Sequence, residues 1–235
     1  MRWMLLALGL LGGVSAHAST SEQRGFKVFR QVCSTCHSLD HVAYADLSGL
    51  GLTQDQIKEY AAQHQVPDGL DEDGDPKTRV ARPTDLIGSP YAGEAMARMA
   101  NHGSVPPDFS RRAMTQKGGV AWIVRMLQSY AEAPAGRKLP PGSYYNTAMP
   151  HGHIGMPQPL HDGQISYEDG TPATTKQMAE DLGAFLEWTA RPHLAARHLV
   201  GVFVLLYLAG MYVLLLLMKR RVWSRLRQTD ASRNF

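Results

Sequence analysis

Both cysteines of this chain fall in one five-residue string, Cys33-Ser34-Thr35-Cys36-His37. Two thiols three positions apart with a histidine directly behind them form the pattern by which haem is attached covalently: each sulfur adds to a vinyl group and the imidazole ligates iron. The spacing suits that use, because i and i+3 share one helix face and the next residue carries its ring over the porphyrin. Three other uses of the same residues fit less well. A structural zinc site needs four matched Cys or His ligands, and there is no second Cys pair. A thioredoxin-like redox pair belongs in a βαβ setting that is not visible here, and an inert disulfide leaves His37 without a purpose.

Iron held by His37 has a second axial position, and whether a side chain fills it separates an electron carrier from a haem that binds small molecules. Of the 11 methionines, Met1 and Met4 lie in the N-terminal leader, Met211 and Met218 in a long apolar run, and Met178 on a helical core stripe. Met96 and Met99 sit in a run from Tyr91 to Asn101 expected to be helical, and Met126 in the stripe Trp122, Ile123, Met126, Leu127, where packing is the expected job. Met114, Met149 and Met156 remain. Met156 lies in Ile154-Gly155-Met156-Pro157-Gln158-Pro159-Leu160, where Gly and two Pro favour a fixed extended loop. His151, His153 and His161 compete with it, and spacing alone leaves the choice open.

Two helices must position the motif. Phe26, Phe29 and Cys33 recur at i, i+3 and i+7, with Arg24, Lys27 and Arg30 on another face. Thr174-Thr175-Lys176-Gln177 opens a second helix on which Met178, Leu182, Phe185 and Leu186 repeat at helical spacing. The two stripes are expected to pack together as core.

The ends of the chain set its compartment. Residues 1–18 run from Arg2 through an apolar stretch to Ser15-Ala16-His17-Ala18, a secretory signal with expected cleavage after Ala18. Leu199 to Met218 is 20 residues without a charge, enough to span a bilayer. Lys219, Arg220, Arg221, Arg225 and Arg227 follow, and such a cluster stays cytoplasmic. The expected organisation is a signal peptide over 1–18, an exported, periplasmic haem domain over 19–198, a single-pass anchor over 199–218 in the inner membrane and a basic cytoplasmic tail over 219–235. With 235 residues, 44% of them apolar and 19% charged, neither wholesale disorder nor a polytopic membrane protein fits. The net charge of +3 mixes compartments: the tail carries six basic residues against one acidic, leaving 17 basic against 20 acidic in the exported part. A nucleic-acid partner has no support.

Together these blocks resemble the cytochrome c1 family, the haem subunits of the quinol:cytochrome c oxidoreductase called the bc1 complex. Arg24-Gly25-Phe26 through Cys33-Ser34-Thr35-Cys36-His37-Ser38 and Val42-Ala43-Tyr44 looks like the family's first helix and haem motif. Ala97-Arg98-Met99-Ala100-Asn101-His102-Gly103 with Pro106-Pro107-Asp108 resembles the segment lining one haem face. Tyr144-Tyr145-Asn146 through Met156 resembles the axial-methionine loop, and Tyr167-Glu168-Asp169-Gly170-Thr171-Pro172 the run before the last helix. The resemblance covers roughly residues 24–221. It implies an all-α, cytochrome-c-like (class I type) haem domain with long loops over 64–95 and 131–173, plus one C-terminal transmembrane helix.

It further implies one covalent haem c held by Cys33 and Cys36, with His37 and Met156 as axial ligands and Asn101, Pro106 and Pro107 against the haem. Single electrons would pass from a Rieske iron–sulfur protein to a c-type cytochrome, beside cytochrome b, in a dimeric complex. The chain would have no substrate site of its own. A stand-alone tethered cytochrome serving another oxidase or reductase is the nearest alternative, and a haem sensor or enzyme with an open sixth site is one of another class.

Two stretches stand apart. Asp68-Gly69-Leu70-Asp71-Glu72-Asp73-Gly74-Asp75, like the family's acidic insert, has the 1, 3, 5 spacing of a calcium loop but Pro76 at position six and Arg82 at twelve, where Gly and Glu are needed. It reads as a solvated loop, with docking of a basic partner as its functional option. Between Ser110 and Gly118, where relatives carry arginine near the haem propionates, this chain has Met114 and Gln116, with Arg111, Arg112 and Lys117 around them. A missing cation lowers the haem potential unless a neighbour reaches in.

Overall fold

A computed structural model of the chain describes residues 19–233, so the signal segment expected over 1–18 lies outside the described residues. The chain falls into two units, one up to Pro192 and one from His193 onward.

The helices of the first unit are, in chain order, α1 (Ser21–Gln31), α2 (Gln54–Ala62), α3 (Glu94–Ala100), α4 (Arg112–Thr115), α5 (Gly119–Leu127) and α6 (Thr175–Ala190). Helix α1 begins where the Thr20 hydroxyl accepts the Gln23 N–H and the Gln23 side chain accepts the Thr20 N–H. This reciprocal box satisfies two donors that the first turn leaves open. Its Phe26 and Phe29 rings lie 5.6 and 5.5 Å from that of Phe185 on α6, so the two apolar stripes pack as expected.

Small residues set how close the helices come. A Cβ on Gly25 would lie 2.0 Å from the carbonyl oxygen of Asp181, and one on Gly183 2.8 Å from methyl groups of Val120 and Val124 on α5. Helix α6 is thus the middle layer, touching α1 through one glycine and α5 through the other. At the first crossing Arg24 spreads its guanidinium over both oxygens of the buried Asp181, at 3.0 Å each, and over Asp169 at 3.1 Å.

Three antiparallel ribbons sit on this helical core: β1 (Leu39–Ala43) with β4 (Leu86–Ile87), β2 (Gln65–Leu70) with β3 (Pro76–Val80), and β5 (Tyr144–Tyr145) with β6 (His153–Ile154). The all-α expectation holds for the layers that make the core. Of the stretches expected as loops, 64–95 contains β2, β3 and β4 and 131–173 contains β5 and β6, while β1 lies outside both. The acidic run forms the β2–β3 turn, where Asp71 Oδ1 accepts the N–H groups of Asp73 at 3.0 Å and Asp75 at 2.8 Å.

The second unit is helix α7 (Leu194–Arg233). Its segment Ala196–Ser224 is long and apolar enough to cross a membrane, with a mean hydropathy of 2.6 over its most apolar 18 residues. The anchor expected over 199–218 lies inside it, and the helix runs on through the basic stretch.

Candidate functional site

Helix α1 ends in a tighter turn that carries the motif. Cys33–Thr35 is 3₁₀, and the N–H groups of Cys36 and His37 both donate to the Cys33 carbonyl, at 3.1 and 2.9 Å. Side chains at i and i+3 eclipse in such a turn, which brings the two thiols to one side. Hydroxyls tie the turn to the helix end: Ser34 donates to the Arg30 carbonyl and Thr35 to that of Val32, each at 2.8 Å. Both cysteines are free thiols. Burial, with a smaller contribution from Cys36, pushes the Cys33 thiol up to about 12, the reverse of what a reactive redox cysteine needs.

His37 is buried and held from two directions. Its Nδ1 lies 2.8 Å from the Pro107 carbonyl oxygen. A carbonyl only accepts, so Nδ1 carries the proton and Nε2 keeps its lone pair. The Phe109 ring stacks on the imidazole at 3.9 Å and 18°. Desolvation holds the imidazole below its ordinary pKa, the Arg112 charge acting in the same direction and the Pro107 bond against it. A neutral imidazole with one nitrogen anchored is the form that ligates a metal.

The Pro107 carbonyl is itself fixed, because the following residues are stitched to the chain behind the motif. Phe109 N–H donates to Ser38 O at 2.9 Å, Asp40 N–H to Asp108 Oδ1 at 2.8 Å, and His41 N–H to the Ser110 hydroxyl at 2.9 Å.

The Met156 loop hangs from α5. Asn146 is fully buried; its Nδ2 donates to the Met126 carbonyl at 2.8 Å, and its Oδ1 accepts the Ala148 N–H at 3.0 Å. The Tyr130 hydroxyl donates to the Met156 carbonyl at 3.0 Å. A Cβ on Gly155 would meet the Ser104 hydroxyl at 2.8 Å. One segment, 101–109, therefore reaches the imidazole through Pro107 and abuts the methionine loop through Ser104.

Met156 is half-buried against the core, as is Met149, whereas Met126 is buried in it and Met96, Met99 and Met114 are exposed. Among the competing histidines, His151 and His161 are exposed; the half-buried His153 donates from Nδ1 to the His151 carbonyl at 3.1 Å.

Asn101 ends α3, donating from Nδ2 to the Tyr91 hydroxyl at 3.0 Å and the Ala97 carbonyl at 2.8 Å. Interaction with the Cys36 thiol, opposed by the Asn101 hydrogen bond, holds the Tyr91 phenol above its ordinary pKa. Pro106 is half-buried, and Pro107 acts through its carbonyl while its ring is exposed. The structure thus gathers Cys33, Cys36, His37 and Pro107 directly, Asn101 through Tyr91, and Met156 through Ser104 and Gly155. Phe109, Tyr130 and Asn146 are positioning residues the sequence reading did not single out. Two thiols on one turn, an imidazole with a free Nε2 and a nearby thioether suit a haem; among the described residues no three His, Cys, Asp or Glu gather as a metal site of their own.

A helical layer closing on a Cys-x-x-Cys-His turn, continued by a membrane-length helix, defines a cytochrome-c-like protein with a candidate anchor. The model of the Cytochrome C1 family matches residues 11–226, and the chain belongs to that family. It is 42% identical to "Cytochrome c1, heme protein, mitochondrial" of Saccharomyces cerevisiae, covering 88% of this chain and 67% of that one. It is equally 42% identical to "Cytochrome c1" of Rhodospirillum rubrum, covering 86% and 80%. A third relative, "Cytochrome b-c1 complex catalytic subunit, mitochondrial" of Candida albicans, is 42% identical over 88% of this chain and 72% of its own. The resemblance read from the sequence is borne out.

Proposed function

We propose that this chain is the haem subunit of a quinol:cytochrome c oxidoreductase, taking single electrons from a Rieske iron–sulfur protein and passing them to a c-type cytochrome. The observation that carries the reading is the His37 imidazole, with its Nδ1 proton committed to Pro107 at 2.8 Å and its other nitrogen free, directly behind two thiols on one turn. The family membership and the haem named in relatives support it.

When bound, the haem supplies a one-electron iron couple. Cys33 and Cys36 would hold it through thioethers, and His37 and Met156 would ligate its iron. With both ligands in place the iron would have no open site, so the chain would bind no substrate of its own and the oxidoreductase activity would belong to the assembly. A thioether ligand and an apolar surround both raise the reduction potential. Pro107 fixes the imidazole plane and Phe109 stacks on it, and Asn101 and Pro106 would stand at the haem's edge.

Helix α7 anchors the domain beside cytochrome b in a dimeric complex, an arrangement favoured by the b-c1 complex named for the Candida relative. Tethering confines the search between donor and acceptor, an effective-concentration gain. The leader is removed after Ala18, the haem domain faces the periplasm and the basic C-terminus stays cytoplasmic.

Detergent-solubilised protein captured through a C-terminal tag is expected to bring cytochrome b and a Rieske protein with it. Capture of this chain alone, at full haem content, would point to a stand-alone cytochrome instead. Carbon monoxide is expected to leave the spectrum of the reduced protein unchanged; a spectral shift would mean an open sixth site.

A further inference from the structure

Helix α4 presents one cation inward. Arg112 and Gln116 are half-buried on one face at i, i+4 spacing, whereas Arg111, Met114, Thr115 and Lys117 are exposed. Gln116 spends its amide on the neighbouring Lys117 carbonyl, at 3.2 Å. The Arg112 guanidinium has neither a hydrogen bond nor an ion pair among the described residues, while the other half-buried guanidinium groups of the haem domain, those of Arg24 and Arg79, each hold two carboxylates. A partly desolvated cation without a counter-ion is costly, and a carboxylate brought to it repays that cost best through a two-toothed pair.

Its place in the chain says which carboxylate. The Arg112 N–H donates to the Phe109 carbonyl at 3.1 Å, closing a turn on the residue whose ring lies 3.9 Å from the His37 imidazole. A haem ligated by His37 brings two propionates into this neighbourhood, anionic groups with no side-chain source in the chain.

We propose that Arg112 pairs with a haem propionate on the His37 side of the site, and so raises the potential of the iron. The inference rests on the haem reading above. A cation held at the propionate favours the reduced iron, which carries one less positive charge. It also places the compensating charge one turn before Gln116 and two residues before Met114.

The test is a redox titration of the haem band in the full-length, membrane-extracted protein. Arg112→Gln is expected to lower the reduced-to-oxidised ratio at fixed ambient potential about tenfold, equivalent to about 59 mV for one electron. Arg112→Lys keeps the charge but loses the fork, and is expected to fall about two- to threefold. The exposed neighbour Arg111→Gln is the reference and should stay within a factor of two of the unsubstituted protein. A ratio for Arg112→Gln no lower than that of Arg111→Gln overturns the proposal. If the Gln variant keeps no haem, the Lys variant decides: a ratio equal to that of the unsubstituted protein sinks the pairing. Failure of the haem reading is seen separately, as unsubstituted protein that carries no covalently held pigment to titrate.

Discussion

Replacing Gly25 by alanine tests the crossing that carries the motif. In a helix interior alanine is favoured over glycine by about 1 kcal/mol, so propensity alone would make Gly25→Ala stabilising. Against this, the new Cβ would sit 2.0 Å from Asp181 O, 2.6 Å from its carbonyl carbon and 2.7 Å from Phe185 Cβ. Carbon–oxygen contacts ordinarily begin near about 3.3 Å, and two of these three atoms are backbone that cannot rotate away. Helices α1 and α6 must then part by about 1 Å, loosening Phe26 and Phe29 from Phe185 and stretching the Arg24–Asp181 bonds.

Overpacking of this kind costs about 1–3 kcal/mol, and rigid backbone puts Gly25 at the upper end. The net loss is about 2 kcal/mol, or a fall in Tm of about 4–8 °C for a chain of this size. Thermal unfolding followed by circular dichroism measures it. Gly88→Ala, with nothing within 4 Å of its added carbon, is the reference. A Gly25→Ala protein melting at or above the Gly88→Ala temperature would refute the close crossing.

Other outcomes follow from single contacts. Asn146→Ala removes two hydrogen bonds, to the Met126 carbonyl, which keeps the Ser129 N–H at 3.2 Å, and from the Ala148 N–H, and should cost about 1 kcal/mol for each, seen as a lower denaturant midpoint. Tyr60 has a buried hydroxyl with no partner among the described residues, so Tyr60→Phe should raise stability by about 1 kcal/mol at neutral pH; a loss would show that the hydroxyl is satisfied. Burial pushes the Tyr60 phenol up to about 12, above its unfolded value of about 10. Its contribution is therefore intact below about pH 10 and lost as pH rises from 10 to 12, and urea titrations across that window should lose less in Tyr60→Phe. At the other end, hydrogen bonds from Thr171, and more weakly the Arg24 guanidinium, hold the Asp169 carboxyl at about 2. That contribution is present at neutral pH and fades as pH falls from about 4 to 2, so Asp169→Asn should flatten the acid limb of the stability curve. Met156→Ala should make the reduced protein bind carbon monoxide, while Met149→Ala should not.

How much could be read beforehand depended on whether a pattern is local. The Cys33-Ser34-Thr35-Cys36-His37 string and the α1 and α6 stripes are written in neighbouring residues, and the structure places both helices as their periodicity predicts. Helix α2 was also written locally, in the capping box of Thr53 and Gln56 before Ile57, Tyr60 and Ala61, but its short apolar stripe was passed over. The run expected as helix from Tyr91 to Asn101 is helical only over Glu94–Ala100, with Asn101 ending it and donating to the hydroxyl of Tyr91, which lies outside it. The ribbon β2–β3 is exposed along nearly its whole length, so no alternation of apolar and polar residues announced it. What no local pattern carries is which carbonyl holds His37: Pro107 lies 70 positions away, and only the stitching of residues 107–110 to 38–41 brings it there. The role of Gly25 was hidden for the same reason, since its neighbour Asp181 belongs to the far helix.

The central claim is that Cys33 and Cys36 bind one haem through two thioethers. Intact-mass spectrometry of the full chain, made in cells able to ligate haem and stripped with acidic acetone, addresses it most directly. Addition of a thiol across a vinyl group loses no atoms, so the account predicts the processed polypeptide mass plus one whole haem, reduced to the bare polypeptide in Cys33→Ala/Cys36→Ala. Bare polypeptide mass in the unsubstituted protein, with the pigment recovered in the acetone, would contradict it.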